Sequence, residues 1–166
     1  FVSFFLINIS NIKAAEKIAF IDLNIIFDNS KAGKKIIEQV QKKQKANSNK
    51  LNKLKKKIEK DREDLKKQKN VLSEDEYKKK FIELEKNLRD FNLSVNKNNS
   101  ELTNFQLKAR SQFYNKLTPI LESYAKQNSI SIILKKENIL IGKTDLDISS
   151  NILELFDKNI KEIKVK

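Results

Sequence analysis

From Ile37 onward, apolar residues recur in alternating steps of three and four: Ile37, Val40, Leu51, Leu54, Ile58, Leu65 and Leu72 share one heptad register. Gln44, Asn47, Asp61 and Gln68 occupy the same register, so polar residues interrupt this stripe. A second stripe is more continuous, running through Tyr77, Phe81, Leu84, Leu88, Phe91, Val95, Leu102, Phe105 and Ala109 with a single break at Asn98. A sustained repeat of this kind predicts paired helices. Beyond Ala109 the apolar positions step by four, through Phe113, Leu117 and Leu121. Such a stutter changes the local supercoil, so the helix is expected to pass there from one packing environment to another.

The two stripes are separated at Asn70-Val71-Leu72-Ser73-Glu74-Asp75-Glu76. Ser73 followed three residues later by Glu76 is a capping box, and Glu74 and Asp75 place negative charge in the first turn, where the helix dipole favours it. A new helix therefore starts near Glu74. Residues 31–118 then fold as an antiparallel hairpin with its tip near 70–73 and arms about 60 Å long, at 1.5 Å rise per residue. On periodicity alone, a plain coiled-coil spacer is an equal reading.

Strand patterns occur only toward the termini. Lys17-Ile18-Ala19-Phe20-Ile21-Asp22 reads as a short strand ended by Asp22, within an N-terminal segment 15–30 that closes on a helix start at Asn29-Ser30. Pro119 falls near the end of the return helix, and within 119–166 the runs Ser129–Leu134 and Ile139-Leu140-Ile141, separated by Lys135–Asn138, predict a β-hairpin. Asp147 is expected to cap a last amphipathic helix carrying Ile148, Ile152, Leu155, Phe156 and Ile160. The fold class is thus α+β: a long helical hairpin projecting from a small β-body built by the terminal strands. One chain supplies too few strands to bury a sizeable core, and small sheets with open edges seek partners. Self-association is expected, with Ile18, Phe20, Ile132, Leu134 and Ile141 in the shared core.

The opening FVSFFLINISNIKAA changes the picture of where the chain works. Phe1–Ile12 is mostly apolar and uncharged but shorter than the about 20 residues a spanning helix needs. Small residues follow at Ala14 and Ala15, and 1–14 reads as the remnant of a secretory signal peptide cut after Ala14. An uncleaved anchor or a first buried strand is the alternative. The 166 residues include no Cys, His, Met or Trp, only two Gly and one Pro, and 34% are charged. This profile suits long solvated helices and removes the side chains that most often act as base, nucleophile or metal ligand. No enzymatic activity, catalytic residue, metal or cofactor is expected.

Two chemical candidates dissolve on inspection. Gly33-Lys34 at a helix start suggests a phosphate loop, but position 28 is Asp where that loop has Gly, and position 35 is Lys where it has Ser or Thr. The pairs Asp22/Asp28 and Asp145/Asp147 lack the concentrated oxygen ligands of a cation loop. Charge is more informative. The chain carries +13, and Lys42–Lys69 holds thirteen Lys/Arg against four Asp/Glu, whereas Glu74–Arg110 holds eight against seven. A field concentrated on the first arm favours anionic partners and weakens with salt. Lys53, Lys55, Lys56, Lys57 and Lys60 are the candidate attracting surface. Phe81, Phe91 and Phe105 are candidate apolar contacts, although their place on the helix seam also suits coil packing. Nothing in the pattern reads base edges or offers an aromatic platform for single strands, so nucleic acid is disfavoured.

The layout, with the stretch FIDLNIIFDNSKAGKK, resembles the Skp (OmpH) family of periplasmic chaperones. The resemblance rests on Asp22, Ile26-Phe27, Ser30, Gly33-Lys34, the basic hairpin, the terminal strands and Asp147-Ile148-Ser149. It implies a periplasmic trimer whose hairpins extend as tentacles around a cavity that holds unfolded outer-membrane proteins without ATP. An anionic lipid or lipopolysaccharide surface is a further candidate partner. A basic coiled-coil protein that binds nucleic acid or serves a structural role is the competing class.

Overall fold

Two serines set where the long helices begin. Ser30 accepts from the Gly33 amide at 3.0 Å, and Ser73 closes a reciprocal capping box with Glu76. The computed structural model describes residues 16–165, and among these the elements are β1 (Lys17–Ile21), α1 (Leu23–Asn29), α2 (Lys31–Lys67), α3 (Glu74–Gln127), β2 (Ile130–Lys135) and α4 (Ser149–Asn159). The expected leader and its cleavage point at Ala14 lie outside the described residues. Helices α2 and α3 pair as the antiparallel hairpin, with the turn between Lys67 and Glu74. No helix is long and apolar enough to cross a membrane among the described residues.

The sheet has two strands in parallel, Ile18 opposite Ile132 and Phe20 opposite Leu134. Parallel neighbours need a crossover connection, and the whole helical hairpin is that crossover. Side chains alternate across the strands. Ala19 and Ile21 face inward with Ile133, into a core completed by Phe27, Ile36, Phe113, Leu117, Ile152 and Phe156. The Phe113 ring is fully buried, with ring centroids 4.9 Å from Phe27 and 4.7 Å from Phe156. The residues from Phe113 onward therefore pack against α1 and α4, which is the change of environment that the stutter predicts.

Four local expectations need correction. Ile139-Leu140-Ile141 is not a strand: β2 ends in a short 3-10 turn at Lys136–Asn138, and Leu140 and Ile141 stand in solvent, 98% and 89% exposed. After that turn the chain runs beside β1 instead of doubling back along β2: Gly142 packs on the Phe20 ring and the Ile148 amide donates to the Phe20 carbonyl at 3.0 Å. Helix α3 does not stop near Pro119 but continues to Gln127, because Leu117, Leu121 and Ala125 pack its far end against the body. It ends where Ser129 adopts a left-handed φ of 52°. Asp22 lies beyond the strand and caps α1, accepting from the Asn24 and Ile25 amides at 3.0 Å. Asp147 sits one residue before the cap position of α4, taken by Ile148, and accepts from the Ser149 amide at 3.0 Å.

Asp22, through its backbone amide, and Asp147, through its carboxylate, belong to one network at the root of the hairpin. The Asp22 amide donates to Ser149 Oγ, Ser149 Oγ donates to Asp147, and Lys136 Nζ donates to Asp147 at 2.7 Å. Burial pushes the Asp147 carboxyl up, but the hydrogen bonds from Lys136 and Ser149 outweigh it and hold it below the usual aspartate value. Across the same body, Asp157 on α4 accepts from the Lys31 amide at 2.7 Å, placing negative charge at the positive end of α2.

Gly33 is required by close approach rather than by a turn. A Cβ at this position would meet the Phe27 carbonyl oxygen and stand 2.9 Å from Ser30 Oγ. Gly33→Ala must push α1 off α2, and overpacking of this kind costs about 1–3 kcal/mol. The urea midpoint should fall with little change in slope; an unchanged midpoint would show that α1 does not bear on this glycine.

Candidate functional site

The hairpin seam is not uniformly closed. Near the tip, Ile58, Leu65 and Leu84 form a small buried cluster against which Tyr77 and Phe91 pack. It is separate from the body core. Between the two, the paired helices meet through polar positions: Asn98 is buried and turns its Nδ2 to the Ser94 carbonyl at 2.8 Å, and Asn47 Nδ2 is buried with no hydrogen-bond partner.

On one side of the tip cluster lies an open groove of about 800 Å³ between the arms. Its floor is Ile58, Leu65, Leu84 and Phe91, and its walls include the half-exposed Phe81 and Leu88 at 46% and 36%. The imbalance between the arms explains why it stays open. Over this length α3 presents five apolar seam residues, Tyr77, Phe81, Leu84, Leu88 and Phe91, while α2 answers with Leu54, Ile58 and Leu65 interrupted by Asp61. A narrow stripe cannot cover a broad one. Lys55, Arg62 and Lys66 rim the groove from α2, and Lys69 from the turn that follows it. On the other side of the seam, a more polar cleft is lined by Lys57, Asp61, Asp64, Gln68, Lys80 and Glu83.

The structure therefore divides the candidate lysines. Lys53, Lys56, Lys57 and Lys60 share one helix stripe by their spacing, all exposed, whereas Lys55 falls on the groove side. Lys55 reaches Glu59 at 3.8 Å, an exposed pair of the kind that contributes little. Of the aromatic candidates, Phe81 and Phe91 line the groove together, and Phe105 does not: it lies partly buried nearer the body, with Lys43 Nζ 5.5 Å from its ring centre. Tyr77, Leu88, Arg62, Lys66 and Lys69 were not singled out from the sequence. The first two share the heptad stripe of Phe81, and the three cations recur at helical spacing, so the signal was present but indistinguishable from coil packing.

A second uncovered surface is the outer face of the sheet. Ile18, Ile132 and Leu134 lie side by side there, 43%, 45% and 43% exposed. Phe20 shares the face but is buried: Lys136 Nζ stands 5.9 Å from its ring centre, and the Gly142 backbone is packed so close that a Cβ would lie 2.9 Å from the ring. Ile141 is on the loop beside it, off the sheet.

This combination of a strand-closed body and a projecting hairpin matches known proteins. The family model for outer membrane protein (OmpH-like) matches residues 17–156. The chain belongs to the OmpH-like family. Among solved structures, an OmpH-like outer membrane chaperone from Caulobacter crescentus CB15 superposes with a TM-score of 0.84 at 15% identity, covering 91% of this chain and 89% of that one. A comparison with curated protein sequences finds no match. The residues that carry the OmpH-like resemblance, Asp22, Ser30, Gly33, Asp147 and Ser149, are all caps or close contacts of the body.

The polar middle of the OmpH-like hairpin makes a specific expectation. Asn47→Leu with Asn98→Leu joins the two apolar clusters and removes a buried group without a partner, a gain of about 1 kcal/mol per site. The melting temperature should rise by roughly 4–8 °C for the pair. A fall would show that the amides stabilise the seam.

Proposed function

We propose that this OmpH-like protein is an ATP-independent holdase of the periplasm, which binds unfolded outer-membrane proteins and keeps them from aggregating on their way to the outer membrane. The observation that carries this reading is the hairpin itself: long solvated arms, strongly basic on α2, with aromatic and aliphatic side chains left uncovered at the tip. Such a surface attracts acidic polypeptide from a distance and holds it by weak apolar contact. The protein acts by binding, and no single residue is its centre. Periplasmic placement rests on membership of the OmpH-like family.

The proposal divides the work between charge and apolar contact. Attraction between exposed charges is screened beyond about 8 Å at physiological ionic strength and acts mainly on association rate. Replacing Lys53, Lys55, Lys56 and Lys57 by Gln should lower the association rate with an acidic, urea-denatured outer-membrane protein by about tenfold at low salt. The salt dependence should flatten, with the dissociation rate nearly unchanged. Stopped-flow mixing measures both; equal rates and slopes would reduce the basic run to a solvated face.

A homotrimer completes this mechanism, because three hairpins enclose a space that one does not. Its support is the outer sheet face, where Ile18, Ile132 and Leu134 stay half exposed, and the second edge of β2, which is unpaired among the described residues. Pairing with a neighbouring chain would also give Leu140 and Ile141 a surface to cover. Light scattering at micromolar concentration should give the mass of three chains, and Ile132→Glu, which places a charge on the face without touching the inner core, should give monomers. A monomeric native protein would remove the enclosing cavity.

A further inference from the structure

The tip groove has a shape and a charge pattern of its own. We infer that it docks an acidic amphipathic helix, laid between the arms so that its apolar face covers Phe81 and Leu88 and its carboxylates reach Arg62, Lys66 and Lys69. This rests on the reading of the hairpin as a polypeptide-binding element and names what one part of it accepts.

Charge selects the occupant's sign. Of the groove's carboxylates, Glu59 is already near Lys55 at 3.8 Å and Glu85 near Arg89 at 3.9 Å, whereas Arg62, Lys66 and Lys69 make no ion pair among the described residues. Arg62 and Lys66 are one turn apart on α2, and Lys69 in the turn that follows lines the groove with them. Geometry selects a helix. The groove face of α3 carries apolar residues at positions 81, 84, 88 and 91, in steps of three and four over about 15 Å or three helical turns, with Phe81 and Leu88 exposed; a helix laid in a groove meets its anchors at the same steps. An extended strand presents same-face side chains about 6.7 Å apart and falls out of step with ridges at the helical pitch. A third helix here completes a three-helix bundle that the mismatch between α2 and α3 leaves unfinished.

The probe is a fluorescein-labelled peptide of about four turns, with Leu and Phe at heptad spacing and Glu on the opposite face. It is compared by fluorescence anisotropy with an isomer rearranged to strict alternation and with a version carrying Lys in place of Glu. The full chain should bind the acidic helix about tenfold more tightly than either control. Phe81→Ser with Leu88→Ser, and separately Arg62→Glu with Lys66→Glu, should each lower that affinity by about tenfold, with helix content and oligomeric mass retained. Lys116→Gln with Lys158→Gln, exposed on the body away from the tip, should change it by less than about twofold. Equal affinity for the three peptides, or indifference to both groove variants, overturns the inference. So does a concentration-dependent association of the protein with itself that Phe81→Ser with Leu88→Ser abolishes, since a second copy would then be the occupant. Suppression of aggregation of a urea-denatured β-barrel protein is read in parallel. Suppression without peptide preference sinks the groove assignment alone, whereas peptide preference without suppression supports the groove and sinks the holdase.

Discussion

Strand β1 and strand β2 come from opposite ends of the described chain, and their parallel pairing, with Ile18 set against Ile132 and Phe20 against Leu134, holds both ends of the hairpin in one place. Everything between them must leave the body and return. An antiparallel pair of long helices does this at low entropic cost, because each arm orders itself locally and the loop closed by the strands is stiff rather than floppy. The left-handed turn at Ser129 and the close contact at Gly33 set the angles at which the arms meet the sheet. The Phe113 ring, wedged between Phe27 and Phe156, converts that meeting into buried apolar area.

Stability is therefore graded along the molecule. The body combines a contiguous core with the Asp22–Ser149–Asp147–Lys136 network, and Gln39 adds a two-point clamp, donating to the Ile163 carbonyl at 2.8 Å and accepting from the Val165 amide at 3.1 Å. The arms have no such support. Their middle meets through amides, and their tip is held by a small cluster of its own. Segments with few buried apolar contacts open at lower free energy than the core they spring from. Under the proposed function that grading is useful, since the arms can open at a lower free energy than the body.

The same imbalance that weakens the tip makes it adhesive. An α2 rich in lysine has fewer apolar seam positions to offer α3, so solubility of the first arm and exposure of Phe81 and Leu88 on the second have one cause. Cations and uncovered apolar side chains then lie within one groove, so that under the proposed binding long-range attraction and short-range contact fall on the same segment of a partner.

The heptad stripes, the Ser73–Glu76 capping box, the turn between the arms and the bias of positive charge to the first arm were all legible in the sequence, because each depends on residues within a few positions of one another. The stutter at Phe113 also pointed correctly to a new environment. The identity of α1, the continuation of α3 through Pro119 and the failure of Ile139-Leu140-Ile141 to form a strand were decided by tertiary packing. Ile26 and Phe27 are helical because the body covers them, Pro119 is tolerated because the helix beyond it is anchored, and the run at 139–141 stays out of the sheet because the chain after it is held against Phe20. The groove belongs to this second group. No residue in it is unusual by itself, and only the pairing of a broad stripe with a narrow one, across an interface between residues far apart in the chain, leaves those side chains uncovered.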